Sequence, residues 1–134
     1  MSRVGVLAAA LVVTCGCAEK PPAAPDTGAK TAAETFFTAL IEHDPRRAYD
    51  VIDPDSRRRV SSDQFARLAD TYAQHLGFPA EKVHVRACEE HGDAATAHVV
   101  LTGRSHRYED GITLKRSGER WGVVLPDNFG RKAR

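Results

Sequence analysis

The chain lacks the features that most readily reveal a function. Its longest apolar run, Val4 to Val13, holds about ten residues, half of what a membrane-spanning helix needs. It contains no G-x-S-x-G, no P-loop, no Cys-x-x-Cys and no internal repeat. The sequence therefore lacks the usual signatures of serine hydrolases, nucleotide-binding P-loop proteins and thioredoxin-like enzymes. The prediction of function depends on weaker patterns.

The chain also lacks an excess of charge of either sign. Nineteen Lys and Arg residues face 18 Asp and Glu residues, for a net charge of +1. Arg3 is the one charged residue among the first sixteen, so the remainder of the chain is neutral. Nucleic-acid-binding proteins usually carry a clear basic excess. We therefore predict no nucleic-acid partner.

The N-terminus has the pattern of a targeting signal. Arg3 precedes the apolar run, which has the length of a secretory signal core, and Thr14-Cys15-Gly16-Cys17 follows. This segment resembles a bacterial lipoprotein signal, in which a small residue precedes the cysteine that becomes lipidated. Gly16 before Cys17 fits best, so we predict a signal peptide over residues 1–16 and lipidation of Cys17. Lipidation of Cys15, or an ordinary signal peptide cut elsewhere, is the alternative.

Lipidation would place the protein on the outer side of a membrane in the bacterial cell envelope. Each acyl CH₂ contributes about 0.8 kcal/mol, so two or three chains anchor a protein durably. In Gram-negative lipoproteins, an Asp after the lipidated cysteine is often linked to retention in the inner membrane. Ala18 and Glu19 stand there instead, so the resemblance implies the outer membrane if the host is Gram-negative. The Pro- and Ala-rich residues 18–30 have no large apolar side chain, so we predict a flexible tether over residues 17–30.

Three amphipathic helices are predicted next. The first begins at Thr31, which forms a capping-box pattern with Glu34, and ends near His43. The second begins after Asp44, with Pro45 at its first position, and closes at Asp53-Pro54. The third runs from the capping pattern Ser61–Gln64 to Gly77. Between the last two, residues 54–60 are interpreted as a turn or one short helical turn.

Four β-strands are predicted from period-two alternation of apolar and polar residues. The first carries Val83, Val85 and Ala87 on one side, and Ser117-Gly118 marks the hairpin before the last strand. Asp110-Gly111 interrupts the alternation of the third strand and indicates a β-bulge, which would bend the sheet. The fold class is therefore α+β, with three N-terminal helices packed on a curved four-stranded antiparallel sheet.

Three segments carry a resemblance to a known superfamily: AETFFTAL (33–40), DPRRAYDVI (44–52) and ITLKRSGERWGVVLP (112–126). They resemble the nuclear transport factor 2-like superfamily, and in particular its small bacterial lipoproteins. The resemblance implies a cone-shaped domain over residues 31–129, sometimes with a pocket between helices and sheet, and leaves residues 130–134 as a basic tail. Some members are isomerases, cyclases or dehydratases, and members often pair through the sheet.

Candidate site residues follow from this arrangement. Phe37, Tyr49, Tyr72 and Trp121 are predicted to point inward and to line any pocket, while Asp110 is the one inward-facing candidate for an acid or base. The other inward positions are almost wholly apolar, so we predict a non-catalytic binding or interaction domain. If Asp110 turns inward beside Tyr49 or Tyr72, a pocket enzyme of the isomerase or cyclase kind becomes the stronger alternative.

No metal or cofactor is expected. His84 and His98 lie on neighbouring strands, but no third ligand stands at a fixed spacing from them. Cys88 has no partner for an internal disulfide if Cys17 is acylated, and is interpreted as a small hydrophobic strand residue. A structural module that forms a homodimer through the sheet is a further alternative, and the ligand or protein partner is left open.

Overall fold

The computed structural model of the protein describes residues 25–131. The predicted signal peptide, Cys17 and most of the predicted tether lie outside the described residues, as do residues 132–134. The helices are α1 (Ala29–Ile41), α2 (Pro45–Asp50), α3 (Pro54–Arg59) and α4 (Ser62–Leu76). The strands are β1 (Lys82–His91), β2 (Ala94–Thr102), β3 (Arg107–Ser117) and β4 (Arg120–Val124). Within residues 25–131, no helix is both long and apolar enough to cross a bilayer.

The strands form one antiparallel sheet in the order β1-β2-β3-β4, which confirms the predicted meander and the α+β class. The segment after α2 adds to the far edge of β4. There the Asp53 N–H donates to the Val123 carbonyl at 2.9 Å, and the Val123 N–H donates to the Val51 carbonyl at 2.8 Å. The segment thereby covers the edge of β4 that β3 leaves free, an edge that would otherwise expose backbone donors and acceptors.

There are four helices in the described chain rather than the predicted three. The extra one, α3, replaces the turn expected over residues 54–60. Pro54 occupies its first turn, and the buried Asp53 carboxylate accepts a hydrogen bond from the Ser56 N–H at 3.1 Å. This cap was overlooked because Asp53-Pro54 was interpreted only as the end of α2.

Helix α1 begins at Ala29 instead of Thr31, and the predicted capping box with Glu34 does not form there. A carboxylate from another element caps the helix instead. Glu90 on β1 accepts hydrogen bonds from the N–H groups of Thr27, at 2.8 Å, and Ala29, at 3.4 Å. The Ala29 N–H is one of the unpaired donors at the start of the helix, and Thr27 lies just before the N-cap Gly28. The predicted caps at Asp44, Ser61 and Gly77 are all confirmed.

The β-bulge is in β1 rather than at Asp110-Gly111. The pairing of β3 with β2 continues without interruption through those two residues, whereas the register of β1 shifts between Val85 and Ala87. The shift turns Ala87 outward and places Cys88 half-buried against the core, so the predicted inward position of Ala87 is wrong. Because β3 is regular, Asp110 shares its inner face with Ile112 and Leu114.

Helix α1 lies across the sheet and contacts all four strands, while α4 packs on α1 and α2. The core contains nearly all the positions predicted to face inward. Its largest fully buried side chains include Phe36, Phe37, Phe65, Ile52, Leu101, Leu114, Val99 and Val123.

The polar and basic composition of residues 127–134 predicts a frayed C-terminal segment, but residues 127–131 are packed against the domain. Phe129 is 8% exposed and stacks on the rings of Phe65 and Tyr72, with centroid distances of 5.7 and 5.2 Å. Gly130 lies directly against the backbone of Leu68 on α4, where a side chain would not fit. This segment therefore closes one side of the domain.

Candidate functional site

A cavity of about 430 Å³ opens between the second half of α4, the first half of β3 and the C-terminal segment. Residues from all three elements line it. They are Tyr72, His75, Leu76, Tyr108, Asp110, Pro126, Asn128, Phe129, Gly130 and Arg131. The cavity therefore has aromatic and aliphatic walls, one carboxylate in its wall, and polar residues around its rim.

Asp110 is held in this wall by the regular pairing of β3. It lies opposite Val99 on β2, whose side chain is fully buried, so its own side chain faces the helices. The Tyr72 hydroxyl donates a hydrogen bond to Asp110 Oδ2 at 3.1 Å, and the Gly111 N–H donates to Oδ1 at 2.8 Å. Asp110 thus turns inward beside Tyr72, which is the arrangement that favours the enzyme alternative.

The electrostatics of the site follow from burial. Loss of water raises the pKa of Asp110 above its ordinary value, although the hydrogen bonds from Tyr72 and Gly111 act in the opposite direction. Burial, reinforced by the charge of Asp110, also raises the pKa of both Tyr72 and Tyr108. Both phenols therefore stay protonated and able to donate a hydrogen bond at neutral pH.

The ring of Tyr72 is fixed by its aromatic neighbours. It stacks on Phe129 with an angle of 15° between the ring planes, and Phe37 lies 6.4 Å away on another side. Tyr108, by contrast, is 41% exposed, more than any other large hydrophobic side chain among residues 25–131. The cavity therefore has one rigid aromatic wall and one aromatic ring left open to solvent at its mouth.

The other residues predicted to line a pocket lie in the core instead. Phe37 is 1% exposed and Trp121 is 8% exposed. The Tyr49 hydroxyl donates to the Val60 carbonyl at 2.9 Å, which is the satisfied core role expected of a buried tyrosine. Of the four predicted lining residues, Tyr72 alone lines this cavity.

Sequence reasoning missed several residues of the site, namely His75, Tyr108, Asn128 and Arg131. Tyr108 could have been found, because it stands two positions before Asp110 and therefore on the same face of the strand. The rim residues Asn128 and Arg131 could not, because they belong to the segment that was expected to fray.

A second cavity of about 410 Å³ lies on the other side of Tyr72 and Leu76. It is formed by the ends of α1 and α4 and by the loop Phe78–Ala80. Its walls hold His43 and Gln74 but no carboxylate. This cavity offers shape and apolar surface without the charged group of the first.

The described part of the chain gives no support for a metal-binding site. Residues 25–131 contain no group of three His, Cys, Asp or Glu side chains that could hold an ion. His84 and His98 are exposed on the outer face of the sheet. Burial raises the pKa of the half-buried Cys88 thiol, which makes it less reactive as a nucleophile.

Comparison with known proteins identifies the fold. No protein-family model matches the chain, and no curated protein matches it in sequence. Among solved structures, a Campylobacter jejuni protein assigned as an NTF2-like transpeptidase is similar over 72% of this chain and 96% of its own, with a TM-score of 0.60 and 16% identity. A SEC-C motif-containing protein from Rhodopseudomonas palustris is similar over 75% of this chain and 79% of its own, with a TM-score of 0.54 and 12% identity.

The chain thus has the nuclear transport factor 2-like fold, as the sequence resemblance implied. At these identities the likeness concerns the fold alone. Many unrelated functions occur on one fold, so the function has to be argued from the cavity and its residues.

Proposed function

We propose that this protein is a small-ligand-binding domain carried by a membrane-anchored lipoprotein of the bacterial cell envelope. The observation that carries the binding function is the open cavity with the Asp110 carboxylate in its wall, held by the Tyr72 hydroxyl at 3.1 Å. The lipoprotein signal around Cys17 supports the anchor. The two parts of the proposal are independent and are tested separately.

The size and composition of the cavity support ligand binding. Small-molecule sites commonly measure about 300–1,000 Å³ and combine apolar walls with a few polar groups that fix orientation. Here Phe129 and Leu76 supply apolar surface, while Asp110 and Tyr108 supply an acceptor and a donor. A half-buried carboxylate is costly to keep in a wall that serves packing alone.

Binding can be tested with a fragment library and the ¹⁵N-labelled full-length chain. Gly130 lines the cavity, and the Gly111 N–H donates a hydrogen bond to the Asp110 carboxylate in its wall. Glycine amides also fall in a distinctive region of the NMR spectrum. We expect some fragments to shift these two signals while leaving Gly118, in the distant β3–β4 turn, unchanged. A library that shifts neither signal at millimolar concentration would count against a binding site here.

The anchor can be tested by metabolic labelling with an alkyne-bearing fatty acid. We expect label on the wild-type protein and on Cys15→Ser, and none on Cys17→Ser. Both cysteines lie in the same short segment, so Cys15→Ser is the matched control. Label that persists in Cys17→Ser would assign lipidation to another residue or reject it.

A second candidate function is acid–base catalysis on a small molecule, and the contact between Asp110 and Tyr72 favours it. A half-buried carboxylate beside a protonated phenol supplies a base and a hydrogen-bond donor in one cavity. The two functions differ in one measurement on a bound fragment. Catalysis requires turnover that falls about 10²-fold or more in Asp110→Asn, whereas pure binding shows no chemical change in the ligand.

A further inference from the structure

We propose that the cavity recognises a small organic cation, a protonated amine or a quaternary ammonium group, with its charge beside Asp110 and its apolar part against Tyr72 and Tyr108. This inference rests on the proposed ligand-binding function and names the class of ligand. It is carried by the charge pairing of Asp110, by its free acceptor capacity and by the aromatic rings around it.

Asp110 has no cationic partner among residues 25–131, unlike Glu109, its neighbour on the same strand. On the outer face of β3, the adjacent Glu109 pairs with Arg107 at 2.7 Å and with Arg86 at 3.3 Å. At the β1–β2 turn, Asp93 pairs with Arg116 at 3.0 Å. Asp110 is more buried than either, yet it contacts only neutral donors, Tyr72 and the backbone of Gly111. A nearby positive charge favours the ionised form of a carboxyl group, and the attraction is stronger where water is partly excluded. The cavity is the direction from which such a charge can approach Asp110.

Asp110 also retains capacity to accept hydrogen bonds. A carboxylate has about four acceptor positions, and the described contacts occupy one on each oxygen. A protonated amine carries N–H donors and no acceptor, so it complements the free positions. A quaternary ammonium group has no N–H and would pair with Asp110 through its charge alone. A ligand carboxylate would face Asp110 with like charge and no donor.

The rings around Asp110 suit a cation as well. Tyr72 lies within hydrogen-bond distance, and Tyr108 stands two residues away on the same face of β3. Cations are attracted to the faces of aromatic rings within about 6 Å, and several such rings together can hold an ammonium group. The exposure of Tyr108 is explained if its ring covers a ligand.

Two basic residues also line this cavity, and by themselves they would favour an anionic ligand. His75 and Arg131 are both exposed and belong to its rim. Neither forms an ion pair with Asp110. Exposed rim charges are screened by water and salt, so the half-buried Asp110 should decide the sign of the ligand.

The test compares three probes of similar size and shape with the full-length ¹⁵N-labelled chain at neutral pH. These are benzylamine, which is then a cation, benzyl alcohol, which is neutral, and benzoate, which is an anion. We expect benzylamine to shift Gly111 and Gly130 and to bind at least about tenfold more tightly than benzyl alcohol, because charge-assisted hydrogen bonds are stronger than neutral ones. Benzoate should bind most weakly.

Asp110→Asn should abolish the preference for benzylamine, since it keeps the side-chain volume and removes the charge. Asp70→Asn is the matched control: it removes one negative charge from an exposed position on α4 and should leave the preference intact. Unfolding curves of both variants establish that each is folded.

The outcomes separate this inference from the proposed function. Equal or tighter binding of benzyl alcohol or benzoate at Gly111 would overturn the cation inference and leave ligand binding standing. The inference is equally wrong if benzylamine gives no shift while fragments of the wider library do. If neither the three probes nor the library moves these signals, the ligand-binding function fails with it.

Discussion

The indole N–H of Trp121 donates a hydrogen bond to the Thr27 hydroxyl at 2.9 Å, across 94 positions of the sequence. The same hydroxyl donates to Glu90 Oε2 at 2.9 Å. One side chain before α1 therefore joins β4 to β1 at one end of the sheet. Packed structure extends to Thr27, within the segment that was predicted to be a flexible tether.

Replacing Trp121 with Ala should severely destabilise the domain. The side chain is 8% exposed and belongs to the core, and removal of a buried aromatic side chain costs about 3–5 kcal/mol. Urea unfolding measures the loss. Thr27→Val is the control, because it removes the hydrogen bond and keeps the core, and should cost about 1 kcal/mol. A melting temperature of Trp121→Ala within a few degrees of wild type would contradict the inward position of this residue.

Replacing Gly122 with Ala should also destabilise the fold. A Cβ at this position would lie 2.7 Å from the Asp53 Cα and 2.8 Å from its backbone nitrogen, which the edge pairing holds against β4. Overpacking of this kind typically costs about 1–3 kcal/mol.

The matched control for that substitution is Gly111→Ala, in the neighbouring strand. There the nearest atom to a new Cβ, the Ala97 carbonyl oxygen, lies 3.9 Å away. The free energy of unfolding should change little, by about 0.5 kcal/mol or less. Equal losses in the two variants would mean that glycine flexibility, and not the contact with Asp53, decides the effect.

Replacing Phe129 with Ala should weaken both stability and the cavity. The ring stacks on Phe65 and Tyr72, so its loss should cost about 3 kcal/mol and release one wall of the site. Phe129→Leu keeps apolar volume and should retain most of the stability. The measurement pairs urea unfolding with the NMR shifts of Gly130 on fragment binding. Unchanged stability of Phe129→Ala would show that the C-terminal segment contributes nothing to the fold.

The parts of the fold that depend on nearby residues could be predicted from the sequence. The capping box of Ser61 and Gln64, the Pro45 start of α2 and the left-handed Gly77 are all formed within a few residues, and all are confirmed. The inward positions of the strands followed from period-two alternation, because that pattern reports burial directly.

The errors concern contacts between distant segments. The start of α1 is set by Glu90, 61 positions from Ala29, and no local capping pattern encodes that contact. Asp110-Gly111 interrupts the alternation and so indicated a bulge, yet the strand is regular there. Gly111 lies on the outer face, where no side chain has to pack. Asp110 was singled out from the sequence, but its partner Tyr72 is 38 positions away, and only the tertiary packing of α4 brings the two side chains together.

Asp110 should make the stability of the domain depend on pH. Burial raises the pKa of this carboxyl above its ordinary 3.8, so the folded chain binds the proton more tightly than the unfolded chain. The contribution of Asp110 to stability is therefore complete below about pH 3.8 and is lost as the pH rises through the raised value. The contribution of Glu109 to stability depends on pH in the opposite direction. Its hydrogen bond and ion pair with Arg107 lower its pKa, so its contribution is lost as the pH falls.

Substitution of each residue separates the contribution of Asp110 from that of Glu109. As the pH rises from about 4 to 7, the free energy of unfolding of Asp110→Asn should increase relative to that of wild type, because wild type alone loses stability as this carboxyl ionises. Glu109→Gln should change in the other direction over the same range. Urea unfolding of the three proteins at both pH values measures the two differences. If wild type instead gains stability relative to Asp110→Asn on going to neutral pH, the fold stabilises the ionised carboxylate, and the cavity does not leave it in need of a cationic partner.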